Sequence, residues 1–530
     1  MADPFRILLA DRIPATGLAP LEDDRFVLIE ATGLAGDQLS AALADVDGVI
    51  IRSTTTLDRA ALQGADRLRV IGRAGVGVDN IDVAAATERG IAVFNAPSGN
   101  TTSAAELTMA LILGAMRKTA AADRALRAGT WDRKRFRGQE LHGKVLALIG
   151  AGRIGGEVAR RARAFGMTVV AYDPYLQEER ARQLEITPVS LDEALRDGDV
   201  VSLHVPLTES TAGLVGAEQI ARMKPTAVLV NAARGGVVDE NALADALRQN
   251  RIAGAAADVY AAEPLPPDHP FLALDHILLT PHIGAATVEA QHNVAFEVAE
   301  AVRDALLRDD FSGAINAPAV AGQLARQLQP VLRLATRLGQ LGRALATTVQ
   351  ALEVRYAGHA GDEALRPLTA AALVGILHDV VGRGGVNLVS ALHVAETRGI
   401  HTRRVLLEPD GDYAELVELR IASGGCETRV AGTLRGGEPR IVRIDAFPLD
   451  IRPAGGLVIL RNRDVPGVIG HVGTLLGQAN VNIGEYHQAR LEAGGEAMAA
   501  IAVDHRLPEE LIAALEELED VLSVRQVQLG

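Results

Sequence analysis

Cysteine is almost absent: the 530-residue chain has one, Cys426. A single thiol excludes an internal disulfide and a cysteine metal cluster, so no metal site is expected, and it fits a reducing, cytoplasmic setting. Aromatic residues are scarce as well, at 3% of the chain. With Ala, Val, Leu and Gly abundant, that favours helices laid on parallel sheets over a β-sandwich. Long apolar runs are missing, so no segment is expected to span a bilayer. The opening "MADPFRILLAD" lacks a basic stretch followed by an apolar one and reads as a first strand rather than a signal peptide. Positive charge is in deficit, with 53 Lys and Arg against 67 Asp and Glu and a net charge of −14. That field argues against general affinity for nucleic acid or anionic membrane. An anionic small molecule must be drawn by local arginines instead.

What is present is alternation. The chain is too long for one core, and three or four domains are expected. "FRILLAD", "DGVIIRS", "RLRVIGRAG" and "IAVFNAP" are short strand-like runs separated by helical or turn segments, the signature of a parallel, doubly wound sheet. A helical stretch follows, from about Thr102 to Ala128. A second alternation starts at "KVLALIGAGRIGGEVARRARAFGMTVVAYDP" and continues through "DVVSLHVP", "TAVLVNAA", "IAGAAADVY" and "HILLTPH". The helix from about Thr287 to Leu307 is expected to return to the first unit, which makes that first domain discontinuous. Beyond Pro318 helices such as "VLRLATRLGQLGRALA" and "LTAAALVGILHDVV" mix with strands such as "VQALEVRYAG", "CETRVAGTLRGG" and "EPRIVRIDAFPLDI". From Gly455 the order strand, helix, strand, strand, helix, strand predicts a ferredoxin-like βαββαβ unit.

Chemistry first shows at "GAGRIG". Gly150, Gly152 and Gly155 have the G-x-G-x-x-G spacing, with the strand "KVLALI" before and a helix after, which is the context a dinucleotide site requires. The first glycine permits the tight turn, the second lets a pyrophosphate approach, and the third allows close helix packing. Arg153 and Ile154 lie in that turn and are expected to contact the cofactor through their backbones. Asp173 ends the next strand at the distance where a carboxylate binds ribose hydroxyls and repels a 2′-phosphate. NAD is expected rather than NADP.

Three more strand ends carry polar residues: Arg234 in "NAARGGVVDE", Asp258 and Glu263 in "DVYAAEP", and His282 in "TPHIGAAT". Each has a plainer reading, as an Arg234–Asp239 pair, a turn residue before Pro264, and a helix cap. Together they suit oxidation of a 2-hydroxy acid. His282 is the candidate base for the hydroxyl proton. Glu263 would orient its ring, and Arg234 would clamp the substrate carboxylate. Asp258 is expected at the nicotinamide or its carboxamide.

These motifs resemble the D-isomer-specific 2-hydroxyacid dehydrogenases, and the likeness extends over essentially the whole chain. It implies catalytic roles for Arg234, Glu263 and His282, and NAD contacts at Arg153, Ile154, Asp173, Val205, Pro206, Ala232, Asp258 and Gly284. Related formate dehydrogenases have glutamine at the glutamate position, so Glu263 argues against that chemistry. Arg52 and Arg73 end strands that face the cleft, with Ser53 and Asn100 in comparable positions, and such a set of donors suits a phosphate. The resemblance adds Arg133, supplied by a neighbouring subunit, and implies oxidation of 3-phospho-D-glycerate to 3-phosphohydroxypyruvate, the first step of L-serine synthesis. Val76 replaces the hydroxyl residue that many relatives carry in the "GRAGVG" turn. A glyoxylate or hydroxypyruvate reductase, or a non-catalytic NAD-sensing scaffold, stands as the alternative.

The fold expected is thus α/β. Two doubly wound Rossmann-like domains bind substrate (1–99 with 284–316) and NAD (100–283). An α+β intervening domain (317–452) and a ferredoxin-like ACT domain (455–530) follow. ACT domains of this kind sense small molecules, and the likeness implies an L-serine site at Asn462, Asp464 and Asn482 between paired domains. Arg440 and Arg443 are candidate anion ligands in the intervening domain, which resembles an allosteric substrate-binding module. A homodimer or homotetramer is expected.

Overall fold

The computed structural model describes residues 3–318, 323–378, 386–408 and 413–529. Its strands fall into four sheets, each built from a contiguous run of sequence. The first holds β1 (Phe5–Leu9), β2 (Phe26–Glu30), β3 (Gly48–Ile51), β4 (Val70–Arg73) and β5 (Ala92–Asn95). All pairings are parallel, in the order β2-β1-β3-β4-β5. The central strands are buried on both faces, which is why "GVII" reads as a continuous apolar run without alternation. The strand order reverses between β1 and β3, so the crevice at their carboxyl ends, where Asp11 and Arg52 lie, is where this architecture binds ligands.

The second sheet comprises β6 (Val145–Ile149), β7 (Thr168–Tyr172), β8 (Thr187–Pro188), β9 (Val200–Leu203), β10 (Val228–Asn231), β11 (Gly254–Ala257) and β12 (Ile277–Leu279). It is parallel throughout, in the order β12-β11-β10-β9-β6-β7-β8. Its reversal lies between β6 and β9, so the glycine turn after β6 and "HVP" after β9 share one crevice.

Two long helices connect the units. The expected helix at 102–128 is two, Thr101–Arg117 and Thr119–Arg127, broken at Lys118 with φ 56°. Sequence periodicity did not reveal the break, because Lys118 caps the first helix in the left-handed region through its own N–H. The first helix lies against the second sheet, and Gly114 allows this: a Cβ there would stand 2.7 Å from Leu278. The second buries no residue and leads to an exposed arm bearing Trp131. The helix Val288–Arg308, capped by Thr287 Oγ1 on the Ala290 N–H, returns to the first sheet. Gly72 in β4 makes room for it, since a Cβ would meet Val298 at 2.5 Å and Val302 at 3.0 Å.

The third sheet is mixed. It contains β13 (Ala351–Ala357), β14 (His401–Leu406), β15 (Leu416–Ser423), β16 (Cys426–Arg435), β17 (Glu438–Ile444) and β18 (Phe447–Ile451), in the order β14-β13-β15-β16-β17-β18. "EPRIVRIDAFPLDI" is therefore a hairpin, turning at Asp445 with φ 50°. Helices Gln323–Leu345 and Leu365–Leu377 cross closely at two glycines. A Cβ on Gly339 would stand 2.1 Å from the Ala372 carbonyl, and one on Gly375 would stand 2.0 Å from that of Thr336. Residues 379–381 of the expected helix "LTAAALVGILHDVV" lie outside the described residues.

The last unit has β19 (Gly455–Arg463), helix Val468–Gln478, β20 (Ile483–Arg490), β21 (Glu496–Val503), helix Glu509–Glu516 and β22 (Val521–Leu529), with sheet order β20-β21-β19-β22. This is the βαββαβ arrangement. Strand alternation divides β19 between two cores: Val458 and Leu460 pack under the unit's own helices, while Leu457 and Ile459 join the core of the third sheet. Among the described residues no helix is long and apolar enough to cross a membrane.

Candidate active site

The glycine turn has the shape a dinucleotide needs. Gly150 adopts φ 97°, and a Cβ there would stand 2.6 Å from the His204 carbonyl oxygen. On Gly155 it would stand 2.3 Å from the Gly150 oxygen, whereas on Gly152 it would meet nothing within 4 Å. The two outer glycines are thus forced by the protein's own backbone, and the middle one faces open space at the amino end of the helix Arg153–Ala164. That opening, with Arg153 and Ile154 as the first helical residues, fits a pyrophosphate on free helix N–H groups. Asp173 follows β7; its Oδ2 accepts the Ala151 N–H at 2.9 Å and its Oδ1 the Tyr175 N–H at 2.9 Å, so it also braces the turn. Val205 and Pro206 follow β9, and Ala232 follows β10, on the same edge of the sheet.

His204 escaped the sequence reading, although "LHVP" places a histidine at a strand end much as "TPH" does. Its Nε2 lies 2.9 Å from Ser202 Oγ. Burial pushes its pKa down to about 4, so the ring is neutral near pH 7.

At the ends of β11 and β12 the expected histidine–carboxylate pair is in hydrogen-bond contact. His282 Nδ1 stands 2.7 Å from Glu263 Oε2, while Glu263 Oε1 accepts the Tyr260 N–H at 3.0 Å. With Nδ1 so engaged, Nε2 is the nitrogen left for a substrate. His282 has φ 52°, unusual for a non-glycine residue, and the loop is held there by Asp258. Asp258 is buried; its Oδ1 accepts Thr280 Oγ1 at 2.6 Å and the Ile283 N–H at 2.8 Å, and its Oδ2 accepts the Gly284 N–H at 2.9 Å. The carboxylate expected at the nicotinamide is thus first a clasp on the histidine loop. The Arg234 turn is fixed by Asn231, whose Nδ2 donates to the Arg234 carbonyl at 3.0 Å and whose Oδ1 accepts the Ala233 N–H at 3.1 Å. Arg234 does not pair with Asp239, which instead caps the helix Glu240–Arg248. It reaches across to the first unit, with Nε 3.4 Å from Asp79 Oδ2. Gly77 permits this approach, because a Cβ there would stand 2.5 Å from the Arg234 guanidinium.

Near that arginine lie two more, Arg73 and Arg52. Arg73 folds back over Gly75, where a Cβ would stand 1.6 Å from its Nη1. Its Nε is buried without a hydrogen-bond partner, as is Asn100 Oδ1. Burial, then the neighbouring Arg234, push the Arg73 pKa down; Asp79 opposes them, Arg52 adds a smaller downward push, and Asp11 a smaller upward one. Arg52 is positioned by Asp11, a residue with no sequence motif to mark it. Asp11 Oδ2 accepts the Arg52 N–H at 2.5 Å, and its Oδ1 accepts Thr55 Oγ1 at 2.9 Å. Ser53 is exposed in the same loop. A cluster of three guanidiniums, Arg52, Arg73 and Arg234, with two carboxylates, Asp11 and Asp79, has an excess of positive charge that suits an anion. Arg133 is not part of it: it sits on the exposed arm and, among the described residues, makes no hydrogen bond or ion pair within the chain.

The remaining candidates do not converge. Asn462 is buried with Oδ1 unpartnered, and Asp464 Oδ2 accepts Arg490 Nη1 at 3.0 Å. Asn482 donates to Asp504 Oδ2 at 3.1 Å. The register Gly456↔Val503, Asn462↔Ala497 and Ile483↔Val503 puts Asn462 and Asn482 at opposite ends of the sheet, about 20 Å apart at the usual rise per residue. The anion reading of Arg440 and Arg443 is corrected. Arg440 Nε donates to Asp450 Oδ1 at 2.6 Å, with Glu485 at 3.4 Å, and Arg443 faces Glu418 at 3.5 Å. Carboxylates distant in sequence already take these charges.

Comparison with known proteins follows the same division. Residues 109–284 match the D-isomer specific 2-hydroxyacid dehydrogenase NAD binding domain, residues 327–445 the D-3-phosphoglycerate dehydrogenase intervening domain, and residues 456–520 the ACT domain. The chain is similar to D-3-phosphoglycerate dehydrogenase of Archaeoglobus fulgidus, 38% identical over 99% of this chain and 100% of that protein. The Bacillus subtilis protein of the same name is 37% identical over 99% of this chain and 100% of its own length. Among solved structures, a glyoxylate reductase from Paecilomyes thermophila is 33% identical, with TM-score 0.54, over 58% of this chain and 97% of that one. An NAD-dependent formate dehydrogenase from Staphylococcus aureus in complex with NAD is 30% identical, with TM-score 0.52, over 57% and 96%.

Proposed function

The chain belongs to the D-3-phosphoglycerate dehydrogenase family, and from that premise we propose that it oxidises 3-phospho-D-glycerate to 3-phosphohydroxypyruvate with NAD. The observation that carries the substrate is Arg73, a half-buried guanidinium with a buried, orphaned Nε near Arg52 and Arg234. A phosphate would neutralise it, whereas an unphosphorylated acid would leave it unpaired.

When bound, NAD supplies the two-electron acceptor at C2. Gly150, Gly152, Arg153, Ile154 and Gly155 would cradle its pyrophosphate, and Asp173 its ribose. Val205, Pro206 and Ala232 would line its path, with Asp258 and Gly284 at the nicotinamide end. His282 Nε2 takes the proton of the C2 hydroxyl. Glu263, on Nδ1, stabilises the imidazolium that results. Arg234 releases Asp79 and grips the substrate carboxylate, so that the charge on C2 oxygen develops beside a fixed cation. Arg52, Ser53, Arg73 and Asn100 take the phosphate, joined by Arg133 from a second subunit.

On this reading 1–99 with 284–316 close on 100–283, and 317–452 and 455–530 form the regulatory half. L-serine would bind where Asn462 and Asp464 of one ACT domain meet Asn482 of another, which requires a dimer or tetramer, in the cytoplasm. A steady-state assay decides the substrate: kcat/KM for 3-phospho-D-glycerate should exceed that for D-glycerate by roughly 100-fold or more, the worth of two charged hydrogen bonds. Equal values would favour a glyoxylate or hydroxypyruvate reductase.

A further inference from the structure

Behind the His282–Glu263 pair lies a second imidazole–carboxylate pair, His269 and Glu240. Both are nearly buried, with side-chain exposures of 11% and 15%. Glu240 is the first residue of the helix that follows the Arg234 turn. Its Oε1 accepts the Ala261 N–H at 2.7 Å, and its Oε2 accepts His269 Nε2 at 3.0 Å. The tautomer is set, because His269 Nδ1 accepts the Phe271 N–H at 3.3 Å and the ring proton must then sit on Nε2. The ring is wedged edge-on between Phe271, at 4.7 Å, and Tyr260, at 6.3 Å.

Those contacts converge on the Tyr260–Glu263 turn. The Tyr260 N–H holds one oxygen of Glu263, and Tyr260 Oη donates to the Thr280 carbonyl at 2.9 Å, two residues before His282. Gly235, next to Arg234, packs on the same peptide: a Cβ there would stand 1.8 Å from the Tyr260 oxygen. Glu240 is therefore the one carboxylate in this set that ties the Arg234 turn, by chain continuity, to the Glu263 turn, by hydrogen bond. We infer that Glu240, held by His269, is a positioning residue for the reaction: it sets the Tyr260–Glu263 turn so that Glu263 meets His282 Nδ1. This rests on the reading of Glu263 and His282 as the proton-handling pair. A helix-start acid that only stabilises the fold would sit in the same place, so the test must separate the two.

Glu240→Gln must turn its NH2 group against one of the two donors, the Ala261 N–H or the His269 N–H. It should lower kcat by roughly 10- to 100-fold, the scale of a small misplacement at a reacting centre. KM for the acid and the Kd of NAD should stay within about 2-fold, because neither ligand touches Glu240. In an enzyme that already carries Glu263→Gln, the same change should cost under about 2-fold in kcat, since its route of action is gone. Without NAD, hydrogen exchange of the 260–264 segment should speed up in Glu240→Gln. His269→Gln, which keeps an N–H for Glu240, should retain kcat within about 3-fold, while His269→Phe, which keeps the packing alone, should fall with Glu240→Gln. That histidine pair carries the test if Glu240→Gln does not fold. Additive losses with Glu263→Gln, unchanged exchange, or equal losses for the two His269 variants would overturn the inference. A wild-type enzyme inactive on 2-hydroxy acids would instead overturn the function it rests on.

Discussion

Arg73, at the end of β4, and Arg440, within β17, are the same residue type on strands of two different sheets, and their surroundings are opposite. Arg73 is half-buried, with a buried and orphaned Nε and with other guanidiniums as neighbours. Arg440 has Asp450 and Glu485 as partners, and the sheet around it continues the pattern: Glu418 is shared by Arg355, Arg420 and Arg443. At the first site, among the described residues, no carboxylate hydrogen-bonds the Arg73 guanidinium, and Asp79 and Asp11 offset its neighbours only in part. The other site supplies counter-charges and is internally satisfied. An arginine's readiness to bind an anion is a property of what the fold leaves unpaired around it.

The sharpest way to break the comparison starts at the reacting atoms. His282→Asn should reduce kcat by about 10²- to 10⁴-fold, the usual worth of a general base, while the Kd of NAD measured by calorimetry stays unchanged. Undiminished turnover would show that the cleft's charge pattern serves something other than this proton transfer. Arg73→Met should next raise KM for the phosphorylated acid by roughly 100-fold without lowering thermal stability, because no internal partner is lost. Arg440→Met should do the reverse, leaving KM alone and costing about 1–2 kcal/mol in denaturant unfolding, since Glu485 loses its cation and Asp450 keeps only Arg435. Stability losses of equal size at both sites would erase the distinction.

Smaller effects refine it. Asp79 is exposed and touches Arg234 only at 3.4 Å, so Asp79→Asn should lower KM for the acid by about 3-fold, the modest scale of an exposed ion pair, by removing a competitor for that arginine. A raised KM would make Asp79 a support instead. His204 tests a neutral site in the same crevice. Its folded-state pKa, about 4, lies below the ordinary 6.5, so unfolding takes up a proton between those values. Its contribution to stability is present at neutral pH and is lost as the solution is acidified through that window. Melting curves of His204→Gln should therefore fall less steeply between pH 6.5 and 4 than those of the unaltered chain; parallel curves would place the ring in water.

Legibility followed distance along the chain. The turn Gly150–Gly155 could be read because strand, turn and helix are contiguous, and its two outer glycines answer to backbone a few residues away or across one strand. Arg234, Glu263 and His282 could be read because parallel strands deliver their carboxyl ends to one edge. Asp11, Asp79, Glu240 and His269 could not. Each acts through a partner brought near by folding: Asp11 through Arg52, Asp79 through Arg234, Glu240 through Ala261 and His269. The helix break at Lys118 was hidden for the opposite reason, because a left-handed cap at a lysine carries no compositional mark. Asn462 and Asn482 stand at opposite ends of one domain's sheet, so a site that uses both needs a second domain, which the pattern of a single chain does not display.

Local spacing and strand-end chemistry, then, were enough to determine that this chain builds parallel sheets around a dinucleotide turn and presents an imidazole, a carboxylate and a guanidinium to one cleft. Which charges stay unpaired, which backbone turns are braced and which loops face each other were decided by the tertiary structure. Electrostatic and hydrogen-bonding partners are chosen by proximity in space, and the pattern of residues along a chain specifies that proximity only after the sheets have closed on one another.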